Sequence, residues 1–78
     1  MNYYKSDYAG EKGTVEVFIA ASNANVAQTL LLNYVENFLI PHYGPSTQEP
    51  CFFKMDRDEY WTAKHHEGAV GGPRFIGP

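Results

Sequence analysis

Cysteine is nearly absent from this sequence, since Cys51 is the single one among 78 residues. One cysteine cannot form an intrachain disulfide or supply a cysteine-rich zinc module. The sequence therefore excludes the disulfide-stabilised class of small secreted domains and the cysteine-rich zinc class. We expect Cys51, which opens an apolar segment, to be a small buried residue. A nucleophilic cysteine would need a histidine within reach and a lowered pKa.

Long apolar runs and basic residues are also scarce. No stretch approaches the roughly 18 apolar residues of a membrane-spanning helix, and residues 1–5 lack the basic start of a signal peptide. Six Lys and Arg residues against nine Asp and Glu residues give a net charge of −3. This balance disfavours proteins that bind nucleic acid by neutralising phosphates. We expect a cytoplasmic protein that binds neither a membrane nor nucleic acid directly.

Motifs for catalysis or metal binding are missing as well. The sequence contains no G-x-S-x-G, no G-x-G-x-x-G and no P-loop. His65, His66 and Glu67, together with His42, form its one metal-like set. Adjacent histidines on a strand face opposite sides of the sheet, so they do not converge on one ion. We expect no catalytic residue, no metal and no cofactor, and we keep a metal- or cysteine-dependent enzyme as the least favoured alternative.

Two β-strands are predicted near the N-terminus. Tyr3–Tyr8 is rich in β-favouring residues, and the glycines of Ala9–Gly13 are typical of a hairpin loop. In Thr14–Ala20, alternate residues are apolar, which places Val15, Val17 and Ile19 on one face. Because Phe18 lies on the other face, we expect this strand to be partly covered on both sides.

A helix is predicted to follow, with Ser22 or Asn23 as its N-cap and an end near Leu39, before Pro41. Its apolar arc spans roughly 220–240°, about twice the stripe that packs on one sheet. Something else must therefore cover one side of it. A symmetry mate or the C-terminal tail could do so, and the residues on that side are Leu32, Val35 and Leu39.

The remaining chain predicts a second pair of strands. Cys51–Met55 reads as a strand, Asp56–Glu59 as a tight turn and Tyr60–His65 as a fourth strand. Residues 1–67 are predicted to form a single α+β domain, and 68–78 a Gly/Pro-rich tail that is either frayed or docked. The order β-β-α-β-β predicts a two-layer sandwich with one helix packed on a mainly antiparallel sheet.

Aromatic residues are what the sequence has in excess: six Tyr, five Phe and one Trp. We expect Phe and Trp to fill the small core, which leaves several tyrosines for a contact surface, where this side chain is enriched. The acidic tip around Arg57 fits a basic partner surface, because charges there speed encounter. The candidate partner-binding residues are Tyr3, Tyr4, Tyr8, Asp56, Asp58, Glu59 and Glu67.

Residues 14–30, TVEVFIAASNANVAQTL, resemble the strand-to-helix unit of several small phage-encoded anti-CRISPR proteins, which are also acidic single domains. The resemblance implies a phage protein without enzymatic activity that binds a large nucleoprotein complex in the bacterial cytoplasm. It would block nucleic-acid access or nuclease recruitment. We therefore expect a small inhibitor that acts by surface contact with a larger host protein or nucleoprotein complex. A structural homodimeric adaptor is the alternative.

Overall fold

In a computed structural model, residues 1–48, 51–65 and 73–77 are described. They contain four strands, three α-helices and one π-helical turn. In chain order these are β1 (Asn2–Gly10), β2 (Gly13–Ala21), α1 (Ala24–Tyr34), the π turn (Val35–Leu39), α2 (Ile40–Tyr43), β3 (Cys51–Met55), α3 (Arg57–Lys64) and β4 (Arg74–Ile76).

The four strands form one mixed sheet in the order β3-β1-β2-β4. β1 pairs antiparallel with both β2 and β3, whereas β4 runs parallel to β2. The predicted α+β class is confirmed, and so are the N-terminal hairpin and the strand Cys51–Met55. The predicted position of the fourth strand is wrong, because that strand comes from the C-terminal tail.

Residues 57–64 form helix α3 where the sequence analysis predicted a turn and a strand. Charge placement explains the difference. Asp58 and Glu59 lie in the first turn and Lys64 in the last, so each charge opposes the helix dipole. Of the residues between them, Ala63 has high helix propensity, whereas Tyr60, Trp61 and Thr62 do not. The end charges and the packing of Tyr60 on the sheet therefore outweigh the β preference of the aromatic pair.

The helix after β2 begins as predicted, because the Asn23 side chain accepts a hydrogen bond of 2.9 Å from the backbone N–H of Val26. Its predicted end before Pro41 is wrong: α1, the π turn and α2 follow one another without a break to Tyr43. Proline lacks an N–H and clashes with the carbonyl four residues earlier. The N–H of Ile40 bonds to the Val35 carbonyl, five residues back, and this wider turn lets the helix continue through proline.

The main core lies between this long helix and one face of the sheet, which we call the inner face. Val15, Val17 and Ile19 point into it, as predicted. Two candidate contact residues, Tyr4 and Tyr8, are only 5 % and 2 % exposed and belong to the same core. They are core residues, so their assignment to a contact surface is corrected. Because side chains alternate along β1, Tyr4 and Tyr8 both face the long helix, and their rings supply apolar area there.

The opposite face of the sheet, the outer face, carries a smaller apolar cluster. Phe18 is 4 % exposed although it points away from the main core. The ring centroid of Phe75 on β4 lies 5.1 Å from that of Phe18. The predicted coverage of β2 on both sides is confirmed. α3 adds a partial third layer here, which the two-layer prediction did not include.

Gly10, at the end of β1, allows the hairpin to approach the end of the long helix. A Cβ atom at this position would lie 2.9 Å from the carbonyl carbon of Tyr43. The backbone N–H of Lys12 also donates a 2.8 Å hydrogen bond to the Tyr43 carbonyl. The missing side chain at Gly10 thus sets how closely hairpin and helix pack.

Candidate interaction surface

Helix α3 is fixed on the outer face by one buried side chain. Tyr60 is 4 % exposed, and its ring centroid lies 4.4 Å from that of Tyr3 on β1 and 5.3 Å from that of Phe75 on β4. These contacts reach strands on both sides of β2. The helix therefore has one anchored side and one side that faces solvent.

Trp61 lies on the solvent side of α3 and is 44 % exposed. Its ring meets the Tyr60 ring edge-on at 5.6 Å, and the Lys64 Nζ atom lies 5.4 Å from its centroid. Both contacts are of the kind that stabilise an aromatic ring in one orientation. The indole is thus a large, exposed and oriented apolar group.

Three carboxylates surround the N-terminus of the same helix. Asp56 is the N-cap residue, and Asp58 and Glu59 lie in the first turn. All three are exposed, and no basic side chain within residues 1–48, 51–65 and 73–77 forms an ion pair with them. They stabilise the helix by interacting with the positive end of its dipole, and they also present negative charge to solvent. We call the surface made by Tyr3, Asp56, Asp58, Glu59 and Trp61 the α3 surface.

The predicted contact residues therefore divide into three groups. Tyr3 is half-buried and packs on Tyr60 of α3, and the three exposed acidic residues lie at the start of that helix. Tyr4 and Tyr8 point to the inner face and are buried. Glu67 lies outside the described residues.

Trp61 is the member of this surface that the sequence analysis missed, because it was assigned to the core. On a strand, Tyr60 and Trp61 would face opposite sides, whereas on a helix they lie 100° apart. The acidic first turn and terminal Lys64 were the signals for a helix. With that helix in place, Tyr60 becomes the anchor and Trp61 the exposed neighbour.

The edge of the sheet at β3 forms a second exposed region. Phe53 on the outer face is 50 % exposed. On the inner face, Phe52 stacks on Tyr4 with centroids 5.2 Å apart. Cys51 at the start of β3 is exposed, so the expectation that it is buried is wrong. It lies on an edge strand that follows a proline-rich segment, outside both apolar clusters.

An apolar groove of about 210 Å³ lies between α1 and β3 and is lined by Gln28, Leu31, Leu32 and Phe52. Of the helix residues predicted to need a cover, Leu32 is 63 % exposed, Val35 is half-buried and Leu39 is fully buried in the core. Leu39 is therefore not available to a partner. The tail residues of β4 lie along β2, at the opposite edge of the sheet from Phe52.

Within the part of the chain that the structure describes, no three His, Cys, Asp or Glu side chains are placed to hold a metal ion. No described helix has both the length and the apolar character needed to cross a membrane.

No family model, curated protein or solved structure matches the chain.

Proposed function

We propose that this protein is a small binding protein that acts by surface contact with a larger partner, and that the α3 surface makes the contact. The observation that carries the proposal is the exposed indole of Trp61, which lies on the same short helix as two exposed carboxylates and close to a third at the N-cap. Tryptophan is among the residues most enriched at the energetic centres of interfaces. The proposal needs no reaction at this surface, because contact alone blocks a partner's site.

The contacts beneath α3 support a preformed surface. Tyr60 fixes the helix to two strands, and Lys64 orients the indole. A side chain already held in place loses little conformational freedom on binding, which favours affinity. The surface is therefore suited to a partner that docks without rearrangement of this chain.

The carboxylates favour a partner with a basic surface. Asp56, Asp58 and Glu59 speed encounter with such a surface more than they add affinity. Proteins that bind nucleic acid carry basic surfaces of this kind. We propose a nucleoprotein complex as the target class, with the carboxylates of α3 occupying sites meant for phosphates.

Affinity purification with neutralised carboxylates tests the contact. The site variant carries Asp56→Asn, Asp58→Asn and Glu59→Gln, because asparagine keeps a good N-cap. The matched control carries Glu11→Gln, Glu16→Gln and Glu36→Gln, which remove the same charge from exposed residues elsewhere. Proteins captured from the native host by the wild type and the control, and lost with the site variant, support the α3 surface. Equal capture by all three proteins excludes it.

A second variant separates the indole from the carboxylates. Trp61→Ala removes exposed apolar area and leaves net charge unchanged, so we expect it to raise the dissociation rate of a captured partner more than it lowers the association rate. The carboxylate variant is expected to do the opposite and to weaken the salt dependence. Competition with added duplex DNA or RNA tests the target class, and a captured partner that binds nucleic acid equally well with this protein present contradicts it.

A further inference from the structure

The free side of β3 is the feature that carries an inference beyond the α3 surface. β3 lies at one edge of the sheet, and no described residue pairs with the side of β3 that faces away from β1. An edge strand offers unpaired N–H and C=O groups to a further strand. The edge Cys51–Met55 contains no proline and no glycine, and it exposes Phe53 and Cys51.

We propose that this edge binds β3 of a second copy of the chain, antiparallel, about a two-fold axis at Phe53. The resulting dimer has one continuous eight-stranded sheet. This inference is independent of the proposed function. The dimer uses the edge of β3 that faces away from β1, and it uses none of the carboxylates of α3.

The sequence of β3 selects this register. With the axis at Phe53, each Phe53 faces its mate, Cys51 faces Met55 of the second copy, and Phe52 faces Lys54. Aromatic pairs directly across two strands are stabilising, and lysine beside an aromatic ring forms a favourable cation–π contact. No two like charges oppose each other within the strand.

The two neighbouring registers are poorer. An axis at Lys54 would set two lysines directly opposite each other, which is destabilising. An axis at Phe52 would pair only residues 51–53 of the two copies and would leave Lys54 and Met55 without a partner in β3. Of the three registers compared, the one with its axis at Phe53 is therefore the most favourable for pairing with a second copy.

Both faces of the sheet gain apolar contact in this dimer. On the outer face, the half-exposed Phe53 rings meet. On the inner face, the two-fold axis brings the two long helices to the same side of the joined sheet, where the exposed Leu32 and the groove beside Phe52 face the second copy. Because each copy uses the same edge, the assembly closes at two. An edge of five residues gives a small interface, so the dimer belongs to the weak, reversible class.

Sedimentation velocity over a concentration series tests the dimer. We expect a reversible monomer–dimer equilibrium in the wild type, and a monomer at every concentration up to about 1 mM overturns the proposal. Phe53→Lys sets two like charges at the axis and is expected to weaken the dimer at least about tenfold. Thr14→Lys is the matched control, because it adds the same charge to an exposed position two strands away. An equal loss in both variants contradicts the interface, and circular dichroism confirms that each variant is folded.

Cysteine cross-linking tests the register. Phe53→Cys in a Cys51→Ser background places the two Cα atoms about 4.5 to 5.5 Å apart across the axis, a separation that an intermolecular disulfide can bridge. Wild-type Cys51 lies four residues out of register with its mate, about 13 Å along the strand, and is expected not to cross-link. A Leu32→Cys variant in the same background tests the alternative dimer through the helices. A disulfide at position 32 without one at position 53 overturns the proposal in favour of that helix-mediated dimer.

Discussion

The hydroxyl of Tyr8 donates a hydrogen bond of 2.6 Å to the carbonyl oxygen of Gly44, 36 residues away in the sequence. Both residues are buried. Gly44 follows α2 with φ at 82°, a conformation that favours glycine. The bond satisfies a buried carbonyl just beyond the helix and joins it to β1. A tyrosine that the sequence analysis placed on a contact surface thus links the two main elements of the core.

Removing that hydroxyl tests its structural role. In Tyr8→Phe the ring still fills the core, but the Gly44 carbonyl loses its partner, and we expect the free energy of unfolding to fall by about 1 to 3 kcal/mol. Urea denaturation measures this change. Tyr4→Phe is the matched control, because Tyr4 is equally buried on the same strand and its hydroxyl forms no hydrogen bond with the described residues. Equal losses in the two variants would contradict a special role for the Tyr8 bond.

Ser6 provides a prediction of opposite sign. It lies between Tyr4 and Tyr8 on the inner face, it is 1 % exposed, and its Oγ atom has no hydrogen-bond partner within the described residues. A buried hydroxyl without a partner is destabilising. Ser6→Ala is therefore expected to increase the free energy of unfolding by about 1 kcal/mol. Ser22→Ala, at an exposed position, should change it little, and a loss of stability in Ser6→Ala would show that the hydroxyl is satisfied in solution.

The parts of the fold that sequence predicted correctly are those with a strong local pattern. The alternation of Val15, Val17 and Ile19 fixes the face of β2, and the Asn23 cap fixes the start of the helix. Residues 57–64 combine helix-favouring charges with β-favouring aromatics, so no single pattern dominates there. β4 has three residues and no period, and it forms only because Phe75 and Ile76 find apolar partners on distant elements.

Sequence also predicted only the part of the candidate site that depends on local pattern. Asp56, Asp58 and Glu59 are charged and were correctly placed on the surface. Which tyrosines are exposed depends on what covers each face of the sheet. That cover comes from α3 and from the long helix beyond Pro41, the two elements whose extent the sequence pattern did not predict. Tyr3, which packs on Tyr60 of α3, is half-buried, whereas Tyr4 and Tyr8 are buried beneath the long helix.

Tyr34 on α1 predicts a pH dependence of stability. Burial raises its pKa above the usual value, and the nearby positive charge of Arg74 offsets part of this rise. As pH rises above about 10, the unfolded chain loses the Tyr34 proton before the folded protein does. The contribution of Tyr34 to stability is thus fully present below that pH and is lost as pH rises through the folded pKa. Over this alkaline range, Tyr34→Phe should lose less stability than the wild type, and equal losses in urea denaturation would contradict the assignment.

Phe75 is expected to hold both β4 and α3 in place. β4 is a three-residue edge strand, and the Phe75 ring lies between Phe18 on the sheet and Tyr60 on α3. Because the residue is half-buried, Phe75→Ala should lower the free energy of unfolding by about 2 kcal/mol, less than for a fully buried phenylalanine. Trp61 is the single tryptophan and lies on α3. Its fluorescence therefore reports whether that helix stays docked.

The control for this prediction is Phe53→Ala, measured in dilute solution. Phe53 is 50 % exposed and forms no ring contact with another described aromatic residue, so its loss should cost less than about 1 kcal/mol and leave Trp61 emission unchanged. For Phe75→Ala we expect a red shift in Trp61 emission before global unfolding, because α3 loses one of the two rings that anchor Tyr60. If emission instead follows the global transition alone, Tyr3 suffices to hold α3. The indole and the carboxylates would then stay in place without β4.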